Sequence, residues 1–334
     1  MQTKKIINNG NQAVDEMLDG LLAAHPKLLH RSARNTRAIV AVDGPRKGKV
    51  GLVIGGGSGH EPTFSGFVGR GLADAAVIGD VFTSPTPDMV LDCAREANGG
   101  AGVLFMYGHY QGDVLNFDMA AELAAEESIE VRTVLTTDDV ASAPLAERAR
   151  RRGVAGNFFI FKVAGAACDQ MKNLDECERI ARKANDATFT MGVALGPCSL
   201  PETRKPIFEI AADAMEIGMG IHGELGTARD KLASADDITD HMLDRVLADM
   251  QPVKGSRVAV LVNSLGATPL MELYIMNRKL AARLKDASIE VHSTHVGHYC
   301  TSLEMAGASI TLMQLDRELQ SLLDHPCHTL ALRV

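Results

Sequence analysis

A chain of 334 residues with 46% hydrophobic side chains is neither disordered nor fibrous, and its length predicts two domains. Its formal net charge of −8, with no lysine–arginine run long enough to track a phosphate backbone, argues against nucleic acid as a partner. Residues 1–8 carry no apolar core after their lysines, and no apolar run approaches the ~18–20 residues that span a bilayer. The expected location is the cytoplasm, with no membrane contact. The densest basic cluster, Arg148, Arg150, Arg151 and Arg152, reads as a solvated helix end. Six scattered cysteines form no C-x-x-C pair and read as reduced, buried thiols.

Taken in chain order, Val14, Met17, Leu18, Leu21 and Leu22 recur at helical spacing, with Asn11 before them and Pro26 after. Short apolar runs then predict strands at 50–54, 76–82, 102–107, 131–135, 158–163, 191–195, 258–262, 289–296, 309–315 and 329–334. Several lack strict alternation, as strands covered on both faces do. Helical stretches fit between them, at 119–126 and where Leu174, Cys177, Ile180 and Ala181 follow one another. The fold class is α/β: two α/β domains, each a mixed or largely parallel sheet flanked by helices. A charged helical segment ends near 183–188, which places the N-terminal domain at 1–186 and the C-terminal domain at 187–334.

The strand at 50–54 runs into Gly55-Gly56-Gly57-Ser58-Gly59-His60-Glu61-Pro62. Glycines bring no Cβ, so the turn lays backbone N–H groups against a small polar ligand, and His60 stands at its rim. The dinucleotide fingerprint G-x-G-x-x-G fails in both registers, at His60 and at Pro62, and no G-K-[ST] ending marks a P-loop. Tyr107-Gly108-His109-Tyr110-Gln111-Gly112-Asp113 follows another strand, where open α/β sheets place ligand groups. Asp113 reads as a general base or as a helix cap. His222, between Gly220 and Gly223, is an approachable ring that reads as a nucleophile, a ligand or a turn residue. Residues 82–88 read as turn chemistry stiffened by Pro85 and Pro87. His292, His295 and His298 lie three apart in a strand-like stretch, which puts neighbours on opposite faces and argues against a metal site.

Three segments together resemble one family: 55–62 with its Gly-Ser-Gly-His core, Gly112-Asp113-Val114-Leu115-Asn116-Phe117, and Gly220-Ile221-His222-Gly223-Glu224. Segments 82–88, 152–155, 265–270 and 299–305 match as well, so the resemblance covers nearly the whole chain. It is to the substrate-binding K subunit of dihydroxyacetone kinases. The resemblance implies a homodimeric kinase subunit that phosphorylates a short ketose such as dihydroxyacetone (glycerone). It implies that His222 adds to the substrate carbonyl as a hemiaminal, that Asp113 is the base, and that His60 hydrogen-bonds the substrate. Gly57, Ser58, Gly59 and Gly108 would line the site. It implies no cofactor or metal on this chain; ATP or ADP with Mg²⁺ would sit on a separate L-type subunit, fed directly or by a phosphotransferase-system relay protein.

One departure bears on substrate. Close dihydroxyacetone kinases often carry lysine-asparagine-tyrosine where this chain has Gly108-His109-Tyr110. Glycine there is expected to add room, and the four-carbon ketose erythrulose is the alternative substrate. A ketose receptor without turnover is the second alternative, set against the presence of Asp113 beside two histidines.

Overall fold

A computed structural model describes residues 3–334 and builds them into two six-stranded sheets. The first comprises β1 (Leu29–Arg31), β2 (Ala38–Ala41), β3 (Gly51–Ser58), β4 (Ala75–Val81), β5 (Val103–Gly108) and β6 (Val131–Thr136), in the order β1-β2-β4-β3-β5-β6. β4, β3, β5 and β6 run parallel, and β1 and β2 pair antiparallel at one edge. Between these strands and after them come α1 (Ala13–Ala24), α2 (Pro87–Ala97), α3 (Gln111–Glu126), α4 (Asn157–Asp169) and α5 (Leu174–Asp186).

The second sheet comprises β7 (Thr188–Gly196), β8 (Ala214–Ile217), β9 (Ala228–Lys231), β10 (Arg257–Ser264), β11 (Glu290–Gly297) and β12 (Ala306–Leu315), in the order β11-β10-β12-β7-β8-β9. Only β10 and β11 are parallel; the other four pairings are antiparallel. Helices α6 (Ala235–Met250), α7 (Leu270–Asp286) and α8 (Arg317–Leu323) complete the chain. The α/β class and the two mixed sheets read from the sequence are those observed. No helix among the described residues is long and apolar enough to cross a membrane.

Alternation distributes each strand between two layers. Val53, Val77, Phe105 and Tyr107 face α2 and α3, where they pack with Val90, Leu91, Phe117 and Ala120. Leu52, Ile54, Leu104 and Met106 face the other way, toward α4 and α5. In β10, Val258, Val260 and Val262 pack with Met242, Leu243, Leu273 and Leu280 of α6 and α7. Ala259 and Leu261 instead join the cluster that holds α4. Helix α4 therefore lies between the two sheets, and residues 157–168 are all buried. The last residues return to the first sheet's side: Ala331 N–H donates to Gly66 O at 3.0 Å, and His328 bridges Arg70.

Two strand expectations fail. The run at 158–163 is part of α4: a segment that is apolar on every side is compatible with a buried strand or a buried helix, and the helix is what two covering sheets select. Residues 329–334 form only an isolated bridge within a turn, where the Thr329 hydroxyl meets Leu332 N and O. The short strands β1, β8 and β9 carry no apolar run long enough to stand out, and β9 is exposed throughout; β2 lies in the apolar run 38–42, which the strands expected from the sequence omit. All six cysteines are buried and unpaired. Only part of the arginine cluster is a solvated helix end: Arg150 closes a short helical turn in solvent, whereas Arg151 is 1% exposed and pairs with Asp249, and Arg152 reaches Asp139.

Candidate active site

The carboxyl edge of the first sheet delivers the site, as open α/β sheets do. β3 does not stop at Ile54; it carries the glycines in extended form through Ser58 and leads to His60. The glycines allow close approach here more than turning. A Cβ on Gly57 would stand 2.6 Å from Thr83 N, so only glycine lets the loop after β4 lie against the strand. Phe82, directly after β4, occupies the left-handed region at φ +56°, a strained position for an aromatic residue. Its ring stacks on His60 at 5.2 Å between centroids.

After β5, Tyr110 takes the N-cap position of α3, and Asp113 lies in the first helical turn, where its side chain caps nothing. Asp113 is 9% exposed, and its Oδ1 has no hydrogen-bond partner. Burial pushes the carboxyl up to about 6, against a hydrogen bond from Ser84 and the nearby His222, which favour the charged form.

The second sheet's side supplies His222, in the connection between β8 and β9, and the carbonyl of Thr301, beyond β11. His60 Nδ1 lies 2.7 Å from Thr301 O, and His60 Nε2 lies 3.0 Å from His222 Nε2. A carbonyl only accepts, so His60 carries its proton on Nδ1. Burial, reinforced by His222, holds the His60 ring down at about 3, and a neutral ring has only a lone pair left at Nε2. The proton between the two rings is therefore donated by His222.

On its other side, His222 Nδ1 lies 2.8 Å from Glu224 Oε1, and the His222 backbone N–H donates to Glu224 Oε2. Burial raises the Glu224 carboxyl, but the hydrogen bond and charge of His222, with its own backbone N–H and Arg152, together outweigh it and the net shift is downward. Arg152 stands 3.9 Å from Glu224 and is itself held by Asp139 at 2.7 Å. A Cβ on Gly220 would fall 2.0 Å from Glu224 Oε2, so the glycine before the histidine is what admits this carboxylate. Three rings meet the His222 ring edge-on: His60 at 4.9 Å, Phe82 at 5.2 Å and Tyr110 at 4.7 Å.

These groups enclose a small cavity of about 20 Å³, lined by Gly57, His60, Gly108, Asp113 and His222, with Gly56, Thr63, Phe64, Tyr110, Gly153, Asn157 and Ile221. The structure thus brings together five of the seven expected site residues. Ser58 and Gly59 turn to a neighbouring crevice: the Ser58 hydroxyl donates to Gly79 O at 2.6 Å, and Gly59 N–H is taken by Glu61 at 3.1 Å. The room expected at Gly108 is filled. A Cβ there would meet the Tyr110 ring at 2.8 Å, and the Tyr110 hydroxyl donates to Gly153 O at 3.1 Å.

The spaced histidines have other partners: His292 pairs with Asp324 at 2.7 Å, and His295 packs edge-on against Phe158 at 5.0 Å. Among the described residues, no three His, Cys, Asp or Glu side chains converge to hold a metal ion. Phe82, Tyr110, Arg152, Asn157, Glu224 and the Thr301 carbonyl escaped sequence reasoning as individual site members. Glu224 had the clearest signal, two residues after a glycine-flanked histidine.

A histidine pair spanning both halves of this two-sheet fold, above a buried carboxylate at a parallel-sheet edge, defines the class: a Dak1 domain, whose family model matches residues 19–331. The chain is 45% identical over 326 residues to PTS-dependent dihydroxyacetone kinase 2, dihydroxyacetone-binding subunit DhaK, of Listeria innocua serovar 6a, covering 98% of each chain. It is 41% identical over 333 residues to L-erythrulose 1-kinase of Mycolicibacterium smegmatis, covering 98% of this chain and 58% of that one. Among solved structures, the dihydroxyacetone kinase of C. freundii superposes with a TM-score of 0.90 at 33% identity, over 99% of this chain and 60% of that one. The dihydroxyacetone kinase operon co-activator DhaQ superposes with a TM-score of 0.88 at 31% identity, over 95% and 97%. The chain belongs to the dihydroxyacetone kinase family, through its Dak1 domain, and is a kinase.

Proposed function

We propose that this chain is the ketose-binding subunit of a dihydroxyacetone kinase, holding dihydroxyacetone on His222 as a hemiaminal while Asp113 deprotonates the hydroxyl to be phosphorylated. The observation that carries this reading is the convergence of His222, His60 and the Asp113 carboxylate, whose Oδ1 has no partner, on one small cavity. A ketose enters by parting the two imidazoles, which line the cavity and are hydrogen-bonded to each other.

The proton count then closes without help from solvent. His222 Nε2 gives its proton to His60 Nε2 and adds to the substrate C2. The C=O π bond breaks, and His60 passes the same proton to the new alkoxide oxygen. The alkylated ring keeps Nδ1–H against Glu224, so its positive charge stays paired. A three-carbon ketone offers few contacts, and one missing group in a pocket is worth only about 1–3 kcal/mol; a bond that requires a carbonyl separates ketose from glycerol where fit does not. Fixing C2 also makes delivery of the terminal hydroxyl near-unimolecular. Asp113 removes that hydroxyl's proton as the oxygen attacks phosphorus, a contribution typically of ~10²–10⁴-fold.

The phosphoryl group comes from a metal-bound donor on a separate L-type subunit, supplied by ATP or by a relay fed from phosphoenolpyruvate. The test is ¹³C NMR with C2-labelled dihydroxyacetone. A protein-bound signal in the tetrahedral-carbon region that vanishes in His222→Ala is the expected result; a bound ketone that keeps its carbonyl signal overturns the covalent step.

Erythrulose stays as a second substrate reading because of Gly108 and the 41% identity to an erythrulose kinase. Tyr110, lying across Gly108, weighs against it. A substrate panel reconstituted with an L-type subunit decides: dihydroxyacetone ahead by a wide margin in kcat/KM removes erythrulose. The receptor reading draws on the likeness to an operon co-activator. It leaves the desolvated Asp113 without a purpose.

A further inference from the structure

We propose that Asn157 is a specificity-determining residue that receives the ketose's second terminal hydroxyl, the one not being phosphorylated. This rests on the covalent reading of the site and extends it to the far end of the substrate. Asn157 is the first residue of α4, is 2% exposed, lines the same cavity as His222 and Asp113, and leaves its Oδ1 without a hydrogen-bond partner.

The other polar side chains around the cavity are already engaged. Thr63 donates to Tyr299 O at 2.7 Å, Tyr110 donates to Gly153 O, and the two histidines hold each other, Thr301 O and Glu224. Of the side chains lining the cavity, Asp113 and Asn157 keep a buried oxygen unmatched. Dihydroxyacetone brings two hydroxyls. One goes to the base, and the chemistry at C2 leaves the other pointing away from it, in need of a partner. A hydroxyl both donates and accepts, so either end of an amide serves it.

Asn157 is also prevented from finding another partner. The buried Asp138 carboxylate accepts from Val154 N–H at 2.9 Å and from Gly156 N–H at 2.8 Å, which pins the turn entering α4. A Cβ on Gly156 would stand 2.5 Å from that carboxylate, so the turn packs directly on it. Because α4 is enclosed by both sheets, its first side chain is buried at the wall of the cavity. A buried amide oxygen held in place with no protein partner disfavours any ligand lacking the matching group.

The test compares dihydroxyacetone with hydroxyacetone, which lacks one hydroxyl, using the full chain reconstituted with a nucleotide-bearing L-type subunit. Hydroxyacetone reacts only when its single hydroxyl faces Asp113, so a methyl group then meets Asn157. The unaltered chain is expected to favour dihydroxyacetone in kcat/KM by roughly ten- to hundredfold. In Asn157→Leu that preference falls to within about threefold, through loss on dihydroxyacetone with hydroxyacetone turnover held or raised. Asn157→Ala serves as the second variant, with the same collapse of the ratio expected. Equal losses on both ketones, or an unchanged ratio, overturn the proposal, whereas the labelled-C2 adduct in the unaltered chain still upholds the covalent reading. Absence of that adduct in the unaltered chain overturns the covalent reading directly, and the proposal with it.

Discussion

The two histidines of the site are held by opposite means. His60 follows β3, a strand buried at every residue; it is 2% exposed, hydrogen-bonded to a main-chain carbonyl, and backed by a stacked phenylalanine. His222 follows the short strand β8, ahead of the fully exposed β9; its side chain is 21% exposed, and a single carboxylate grips both its ring and its backbone. The first is fixed by packing, the second by a charged hydrogen bond. A ring that rests neutral and takes up a proton only to pass it on belongs in the dry wall. A ring that donates from both nitrogens and keeps its positive charge when alkylated belongs beside a carboxylate with some access to water. Substitutions on the His222 side should therefore change chemistry with little cost to the fold, and those on the His60 side should change both.

The largest effect is expected from His222→Ala. The C2 adduct disappears, discrimination between dihydroxyacetone and glycerol is lost, and the melting temperature stays within a few degrees, because the ring sits in a connection beside a small cavity, held by one carboxylate, and packs in neither sheet's core. A large drop in melting temperature would place His222 among the packed elements and dissolve the contrast.

Asp113→Asn comes next. Adduct formation persists while kcat falls by ~10²–10⁴-fold. The sign of the pH dependence follows from burial: with its carboxyl raised to about 6, Asp113 is protonated and inactive below that pH and becomes competent above it. kcat/KM in the unaltered subunit should climb as pH rises through about 6, and the limb should be missing in the variant. His60, held at about 3, contributes no limb in that range.

Glu224→Gln sharpens the comparison further. An amide keeps a hydrogen bond to Nδ1 but no longer neutralises the alkylated ring, so the adduct weakens by about ten- to hundredfold, the worth of a hydrogen bond to a charged group. Titration of the labelled-C2 signal measures it. An adduct of unchanged strength would mean that Arg152 and Asp139, and not the carboxylate, set the charge at this end of the site.

How much of this was legible in the letters depends on the kind of information each feature needs. The strand ends that carry His60 and Asp113 were legible, because an apolar run breaking into Gly, Ser, His and Asp marks a sheet's carboxyl edge. Helix α4 was not: Phe158, Phe159, Ile160 and Phe161 are apolar in every direction, and which period they adopt is decided by two sheets closing on them. The contact between His60 and His222 joins residues 162 positions apart, and only the family resemblance paired them beforehand. The Thr301 carbonyl left no trace, since any residue offers one. Tyr110 was visible within its motif, but its place over Gly108 was not, and the expectation of open space there failed for that reason. Arg152 was misread because a run of arginines looks the same whether it faces water or a buried aspartate.

The smallest and most diagnostic effect belongs to the packed side. Phe82 holds a left-handed backbone conformation at φ +56° while its ring stacks on His60 and meets His222 edge-on. Such a conformation costs on the order of 1–2 kcal/mol for a residue with a Cβ and persists where the surroundings over-determine it. Phe82→Gly and Phe82→Ala both remove the ring, but only glycine relaxes the backbone. Glycine should thus be the more stable of the two by about 1 kcal/mol in denaturant titrations, the reverse of their order in a helix. Both should lose several-fold in adduct formation, since the His60 plane is no longer held and water reaches its ring. If alanine proves the more stable, the strain at Phe82 is not there; if adduct formation is untouched in both, the aromatic wall serves the fold and His60 is positioned by the Thr301 carbonyl alone.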